Sequence, residues 1–303
     1  MGVNDVINVF FILTLSLRVQ CQAVADMRAA MLIIDIQTCF LPAGSLAIEQ
    51  ADIIIPIIND LRKDSGKLFK LVVLSQDWHC PKHVSFASSH PGKKPFETAP
   101  LRYFSNGTLC YDNTNQTKVP GVLTCPAADE TRHLEQMLWP DHCVEDVTSG
   151  PTSSNISKEL TVTASDVIIK KGTHCQIDSY SAFYDNGRFS ATELDAILKS
   201  NGIDTVFVMG LALDFCVKYT ALDAKQLGYK TYTVVDASMA VAKDTEKKAL
   251  GEMDAAGVEL ITSHKVWDIL TGKGKSNTAV RLTLEGTHLL TLTSHVLLLR
   301  FYL

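Results

Sequence analysis

The chain has 303 residues, enough to bury a large core in one or two domains. With 46% hydrophobic and 20% charged residues, it excludes wholesale disorder and any collagenous or coiled-coil fibre. A net charge of −5 and a pI near 6.0 leave no basic footprint for nucleic acid, so small-molecule chemistry or protein contact remains.

In chain order, residues 6–17, VINVFFILTLSL, form an apolar run of signal-peptide length, followed by small residues where cleavage after Ala23 or Ala25 would fit. A signal peptide over 1–25 and a secreted product are therefore expected. Asp5 precedes the run and no Lys or Arg does, which departs from the usual charge; a buried helix is the alternative and would leave the protein cytoplasmic.

The stretch 29–35, AAMLIID, predicts a short strand buried on both faces, 51–66 has helical spacing with Pro56 near its start, and 69–77 predicts a second strand. Alternation then breaks over 80–165, a stretch rich in Pro, Ser, Asn and Gly that contains one predicted helix at 129–138. From 166 to 263 strand and helix patterns alternate again. Repeated units of this kind predict an α/β, three-layer α-β-α fold with a central parallel sheet, forming one domain over about 27–272. The tail 273–303 is too short and too interrupted to span a membrane, and its role is unassigned.

Of eight cysteines, Cys21 would leave with the signal, making seven, so at least one thiol stays unpaired if the others form bridges. Cys110 and Cys125 are the favoured pair because they bracket a polar loop; a fully reduced chain is the alternative. Glycosylation triplets begin at Asn106, Asn115 and Asn155, and the first two fall in that loop.

Ligands bind beyond the carboxyl ends of strands in such sheets, which directs attention to Asp35, Asp77, Lys171 and the turn 210–216. Cys216 falls in the first turn of a helix after a strand, where free N–H groups and the helix dipole favour a thiolate; a buried cysteine is otherwise an inert small hydrophobe. Asp35 and Lys171 each end an apolar run, as solvated strand ends or as groups aimed into a site. Asp77 and His79 share one face, and Asp with His suits a borderline divalent metal for which His142 is a third ligand candidate. His83 and His90 read as loop groups near it.

The segments LIIDIQTCFLPAGSLAI, SQDWHCPKHVSFASSHPG, WPDHCVEDVTSG, KKGTHCQIDSYSAFYDNGR and VMGLALDFCVKYTALDAKQLGYKTYTVVDA resemble, in order, the isochorismatase-like cysteine hydrolases, and within them those that hydrolyse nicotinamide. The resemblance covers about 30–263. It implies an isochorismatase-like fold and conversion of nicotinamide to nicotinate and ammonia through a cysteine thioester. It also implies Cys216 as nucleophile with Asp35 and Lys171, and an oxyanion hole at Ala212 and Cys216 beside a cis Leu211–Ala212 bond. A divalent metal, zinc before iron or manganese, would sit on Asp77, His79 and His142. Phe40, Phe183 and Leu211 would contact the substrate, the two phenylalanines by sandwiching its ring. No nucleic acid or membrane span is expected, and a homo-oligomer stays open. The competing readings are a cysteine amidase for N-carbamoyl or ureido substrates and a non-catalytic secreted glycoprotein with this fold.

Overall fold

β1, Ala29–Ile34, is apolar and buried at every position, as a strand covered on both faces must be. The coordinates are a computed structural model that describes residues 27–111, 123–125 and 131–273. The expected signal peptide with Cys21, the acceptor Asn115 and the tail from 274 lie outside the described residues.

After β1 the chain forms α1, Ile54–Ser65, and β2, Leu71–Asp77, then departs into β3, Thr98–Phe104, β4, Leu109–Tyr111, β5, Leu123–Thr124, and β6, Thr131–Met137. It returns with β7, Val167–Lys171, α2, Leu194–Ser200, β8, Thr205–Leu211, a π turn at Leu213–Val217 running into α3, Lys218–Gln226, then β9, Lys230–Met239, α4, Lys243–Ala255, and β10, Glu259–Ile261. The main sheet has the order β10-β9-β8-β1-β2-β7, and every pairing in it is parallel. Strand order therefore runs outward from β1 to β2 and β7, then reverses to β8 on the other side of β1. That reversal opens a crevice at the carboxyl ends of β1 and β8.

Alternate residues of a strand face opposite ways, so Ala30, Leu32 and Ile34 of β1 join Val206 and Val208 of β8 on one face. There they pack with Leu194 and Leu198 of α2, Ala221 and Ala224 of α3, and Met253 of α4. The opposite face carries α1, whose Ile54, Ile55, Ile58 and Leu61 are buried. Gly210 is required where β8 meets β1: its φ is +122°, and a Cβ there would lie 2.2 Å from the Ile34 carbonyl oxygen.

The helix expected over 129–138 is a strand in its described part. β6 pairs antiparallel with β3 from Thr98↔Met137 to Phe104↔Thr131, and β4 and β5 extend this second sheet. Leu, Glu, Gln and Met favour helices only by tenths of a kcal/mol each, roughly, and a run of cross-strand bonds outweighs that preference. The stretch expected to be an irregular break thus carries a small second sheet, and its other described residues are largely irregular.

Two compact units divide the chain: 27–263, holding both sheets, and a second of 1–26 with 264–303. The described part of the second unit supplies most of α5, Ser263–Thr271. Among the described residues no helix is long and apolar enough to cross a membrane.

Candidate active site

Asp35, Asp77 and Lys171 stand at or just past the carboxyl ends of β1, β2 and β7, and Cys216 in the π turn after β8. Three neighbouring parallel strands and one turn therefore deliver them to one edge of the sheet. Lys171 Nζ lies 2.9 Å from Asp35 Oδ2, 2.7 Å from Asp77 Oδ1 and 3.3 Å from Cys216 Sγ, and donates to the Ser179 carbonyl at 3.0 Å. Asp35 has φ +52°, a left-handed conformation uncommon outside glycine, and its N–H and Oδ1 both meet the Ser75 hydroxyl, at 3.2 and 2.6 Å. Oδ1 is so held, while Oδ2 faces the Lys171 ammonium that also meets the Cys216 sulfur.

All of these groups are nearly inaccessible to solvent, and their charges must satisfy one another. Burial acts to lower Lys171, but the Asp35 and Asp77 carboxylates hold it well above its ordinary value, so it is a cation. Burial raises Asp35 against the pull of Lys171. The thiolate expected from the helix N-terminus is not the resting form: burial pushes the Cys216 thiol well above its ordinary value, and Lys171 offsets this only in part. Burial thus favours the neutral thiol over the thiolate.

Asp77 Oδ2 is 3.2 Å from His79 Nε2 and 3.5 Å from His142 Nε2. Each histidine spends its other nitrogen on a backbone carbonyl: His79 Nδ1 donates to Gly172 at 3.0 Å, and His142 Nδ1 to Pro140 at 2.8 Å. Those bonds turn both Nε2 atoms toward the same carboxylate oxygen, and the three side chains form a donor set that fits a borderline divalent cation. His83 stacks on His79 with ring centroids 4.1 Å apart, and its two nitrogens bond Ser85 Oγ and the His174 carbonyl. His90 bonds the Val84 carbonyl.

Gly172 is a site residue that pattern reading passes over. Its φ is +65°, and a Cβ there would meet His79 Cε1 at 2.4 Å. Gly172→Ala is therefore expected to displace the imidazole and weaken binding of an added divalent cation by about tenfold or more, the usual scale for disturbing a ligand's supporting partner. Calorimetric titration checks this, and unchanged affinity would show that His79 is not held by this contact.

A pocket opens above Cys216 and Asp77, with Phe40, Trp139, Tyr180 and Phe215 as aromatic walls and Leu46, Ile48 and Val241 among its apolar lining. Trp139 and Phe215 meet edge to face at 4.9 Å, and Tyr180 leans on Phe215 at 5.4 Å. Ala212 and Cys216, the residues expected to offer oxyanion donors, both line it, and the Leu211–Ala212 peptide is cis.

Phe40 is on the pocket wall, but two other expected substrate contacts are not. Phe183 sits in the main core, its ring stacked on Tyr229 at 6.2 Å, because the chain before it is tied to α3 by the Ala182 N–H donating to Thr220 Oγ1. Leu211 is the last residue of β8 and wholly buried, and only the next residue reaches the pocket. Phe183→Ala is accordingly expected to cost about 3–5 kcal/mol of stability with little change in KM. Denaturant unfolding beside steady-state kinetics checks it, and a raised KM at unchanged stability would return Phe183 to the pocket.

Trp139 and Phe215 took their places unforeseen, although each lies within three residues of a foreseen site residue. Asp178, also in the pocket lining, accepts from Gln136 Nε2 and the Ser179 N–H, both at 2.8 Å. Nothing in its local sequence marks it out. Asp214, two residues from the nucleophile candidate, is held outside the chemistry: its carboxylate accepts from Val241 N and Ala242 N just before α4 and from Thr245 Oγ1 in its first turn.

The described cysteines pair as Cys39–Cys143, Cys80–Cys175 and Cys110–Cys125, with Cys216 the free thiol among them. Of the asparagines in the Asn-x-Ser/Thr triplets, Asn106 is exposed at the β3–β4 turn, whereas Asn155 is half-buried and its amide donates to the Thr148 carbonyl at 2.9 Å.

The isochorismatase domain profile matches residues 29–265. The nicotinamidase of Acinetobacter baylyi is 38% identical over 240 residues, which cover 79% of this chain and 94% of that protein. The structure of the yeast nicotinamidase bound to the inhibitor nicotinaldehyde aligns at 28% identity with a TM-score of 0.65, covering 77% of this chain and 99% of the other. A pyrazinamidase of Pyrococcus horikoshii in complex with zinc aligns at 27% identity and a TM-score of 0.56, covering 78% and 99%. A profile that spans both the parallel sheet and the strand ends where acid, amine and thiol meet, together with relatives matched along nearly their whole length, means that this chain belongs to the isochorismatase family.

Proposed function

We propose that the protein is an amidohydrolase that converts nicotinamide to nicotinate and ammonia, with Cys216 as nucleophile. The observation that carries this reading is the convergence of Asp35, Lys171 and the unbridged Cys216 under an aromatic-walled pocket, supported by nicotinamidase relatives of high coverage.

In this reading Asp35 takes the thiol proton as Cys216 Sγ attacks the carboxamide carbon, so the thiolate is generated only when it is used. The developing oxyanion is met by the backbone N–H groups of Ala212 and Cys216, a contribution of about 3 kcal/mol per donor. Asp35 passes the proton to departing ammonia, then deprotonates the water that hydrolyses the thioester and returns the proton to the sulfur. Lys171 stays charged throughout and holds both carboxylates in place.

Asp77, His79 and His142 would hold one divalent metal, zinc being the best match to an Asp-His-His set and to the zinc-bound pyrazinamidase relative. When bound, such an ion supplies a Lewis-acid point able to accept the pyridine nitrogen and so fix the ring's orientation. The aromatic walls suit a flat ring, which favours nicotinamide over the N-carbamoyl and ureido substrates.

The test is ammonia release from nicotinamide by the purified full chain under divalent metal, beside release from an N-carbamoyl amino acid. Preference for nicotinamide supports the reading. Release from the carbamoyl substrate alone would reassign the substrate, and release from neither would remove the enzyme.

The three disulfides support maturation in an oxidising compartment, and the exposed Asn106 supports glycosylation there. Sequencing the mature N-terminus from a eukaryotic host tests secretion: a chain still starting at Met1 and carrying no glycan would overturn it.

A further inference from the structure

Each histidine of the candidate metal triad is followed in sequence by a disulfide-bonded cysteine. His79 precedes Cys80, bonded to Cys175, and His142 precedes Cys143, bonded to Cys39. The local backbone explains what these bonds can do. β2 and β7 cease to pair at Asp77↔Lys171, with Trp78 N donating to the Lys171 carbonyl at 2.9 Å as the last rung. Beyond it the two chains run on as irregular backbone, one through His79 to Cys80, the other through Gly172 to Cys175, and the disulfide closes them into a ring.

That ring contains Asp77, His79, Lys171 and the Gly172 carbonyl that orients His79. A further backbone bond, Val84 N to the Cys175 carbonyl at 2.8 Å, lies just outside it. The second bridge acts from the other side. Cys143 has φ +44°, its carbonyl accepts from His79 N at 3.0 Å, and its partner Cys39 adjoins the pocket residue Phe40. The two bridges therefore restrain the main chain beside both imidazoles, in segments that no regular secondary structure holds.

We infer that Cys39–Cys143 and Cys80–Cys175 are positioning bridges of the metal centre, fixing the backbone next to each ligand histidine so that the Nε2 atoms are preorganised for a divalent cation. The inference rests on the reading of Asp77, His79 and His142 as ligands. Asp77 is already fixed as the last residue of β2, but two imidazoles on less restrained backbone would have to be ordered when the ion binds, at the expense of affinity. Bridges that order them beforehand remove that cost. Cys110–Cys125 joins β4 to the end of β5 in the second sheet and adjoins no ligand, so it offers an internal control.

The experiment compares the full-length chain with its C80S/C175S, C39S/C143S and C110S/C125S variants. Each is stripped of metal and titrated with zinc against a chromophoric chelator, at a temperature where circular dichroism shows it folded. The wild type is expected to bind one zinc. C80S/C175S should bind it about 10- to 100-fold more weakly, with kcat/KM recovering at excess zinc, and C110S/C125S should lose thermal stability without loss of zinc affinity.

Equal zinc affinity in C80S/C175S and the wild type would overturn the inference, as would an equal loss in C110S/C125S, which would mark the effect as general stabilisation. Failure of the wild type to bind zinc would sink the ligand reading and this inference with it, a result distinct from tight wild-type binding with unchanged variants. Cys39 and Cys143 are fully buried, so C39S/C143S is the variant most prone to misfold. Cys175 is exposed, and C80S/C175S alone decides the outcome if the other does not fold.

Discussion

Cys216→Ala is expected to lower the rate of ammonia release from nicotinamide by about 10⁴-fold or more, the scale on which removing a covalent nucleophile acts. The sulfur is the free thiol at the pocket among the described residues, and the neighbouring Asp35 and Lys171 have no role in the proposed mechanism without it. The fold should tolerate the change, since alanine fits a cysteine's space and about 1 kcal/mol of lost stability is typical for such a substitution. A stopped-time ammonia assay, with thermal unfolding to confirm folding, checks both parts. Retention of a tenth or more of wild-type activity would remove the thioester mechanism while leaving family and fold in place.

Lys171→Met is expected to destabilise the protein by about 3–5 kcal/mol as well as abolish turnover, because it strands Asp35 and Asp77 together in the interior without their shared cation. The lysine side chain is completely buried and both carboxylates lie within 3 Å of its nitrogen, so water cannot replace it. Methionine preserves the volume and isolates the charge effect. Denaturant unfolding of metal-free protein is the measurement. A loss below about 1 kcal/mol would mean that the carboxylates are neutralised by other means and that Lys171 is no structural keystone. A saturating divalent cation should recover part of the stability, since an ion bound on Asp77 would relieve one of the two stranded charges.

The structure also changes how the thiol is understood. Its place after a strand and at the start of a helix suggests a thiolate, but that expectation weighs the backbone dipole and omits burial. With Cys216 only 6% exposed, desolvation prevails and the proton stays on sulfur, within reach of Asp35. Asp35 is thus asked to work as a base during attack, a role its bond from Ser75 and its left-handed backbone prepare by fixing the carboxylate's direction.

The parallel sheet, the positions of its strand ends, and Asp35, Asp77, Lys171 and Cys216 as residues to examine could all be read from the linear chain. The reason is local: a charge or thiol closing an apolar run is conspicuous, and strand direction follows from alternation with helices. The cysteine pair around the polar loop was legible for the same reason, being only 15 residues apart. Tertiary structure alone decided the rest. The bridges beside His79 and His142 span 95 and 104 residues, the walls Trp139 and Phe215 come from a loop and a distant π turn, and β6 is a strand only because β3 lies beside it. Phe183 turned inward for a like reason, its direction set by a hydrogen bond between Ala182 and Thr220. Such features depend on which distant segments become neighbours, and a residue's local pattern carries its own burial and conformation but not the identity of what will be packed against it.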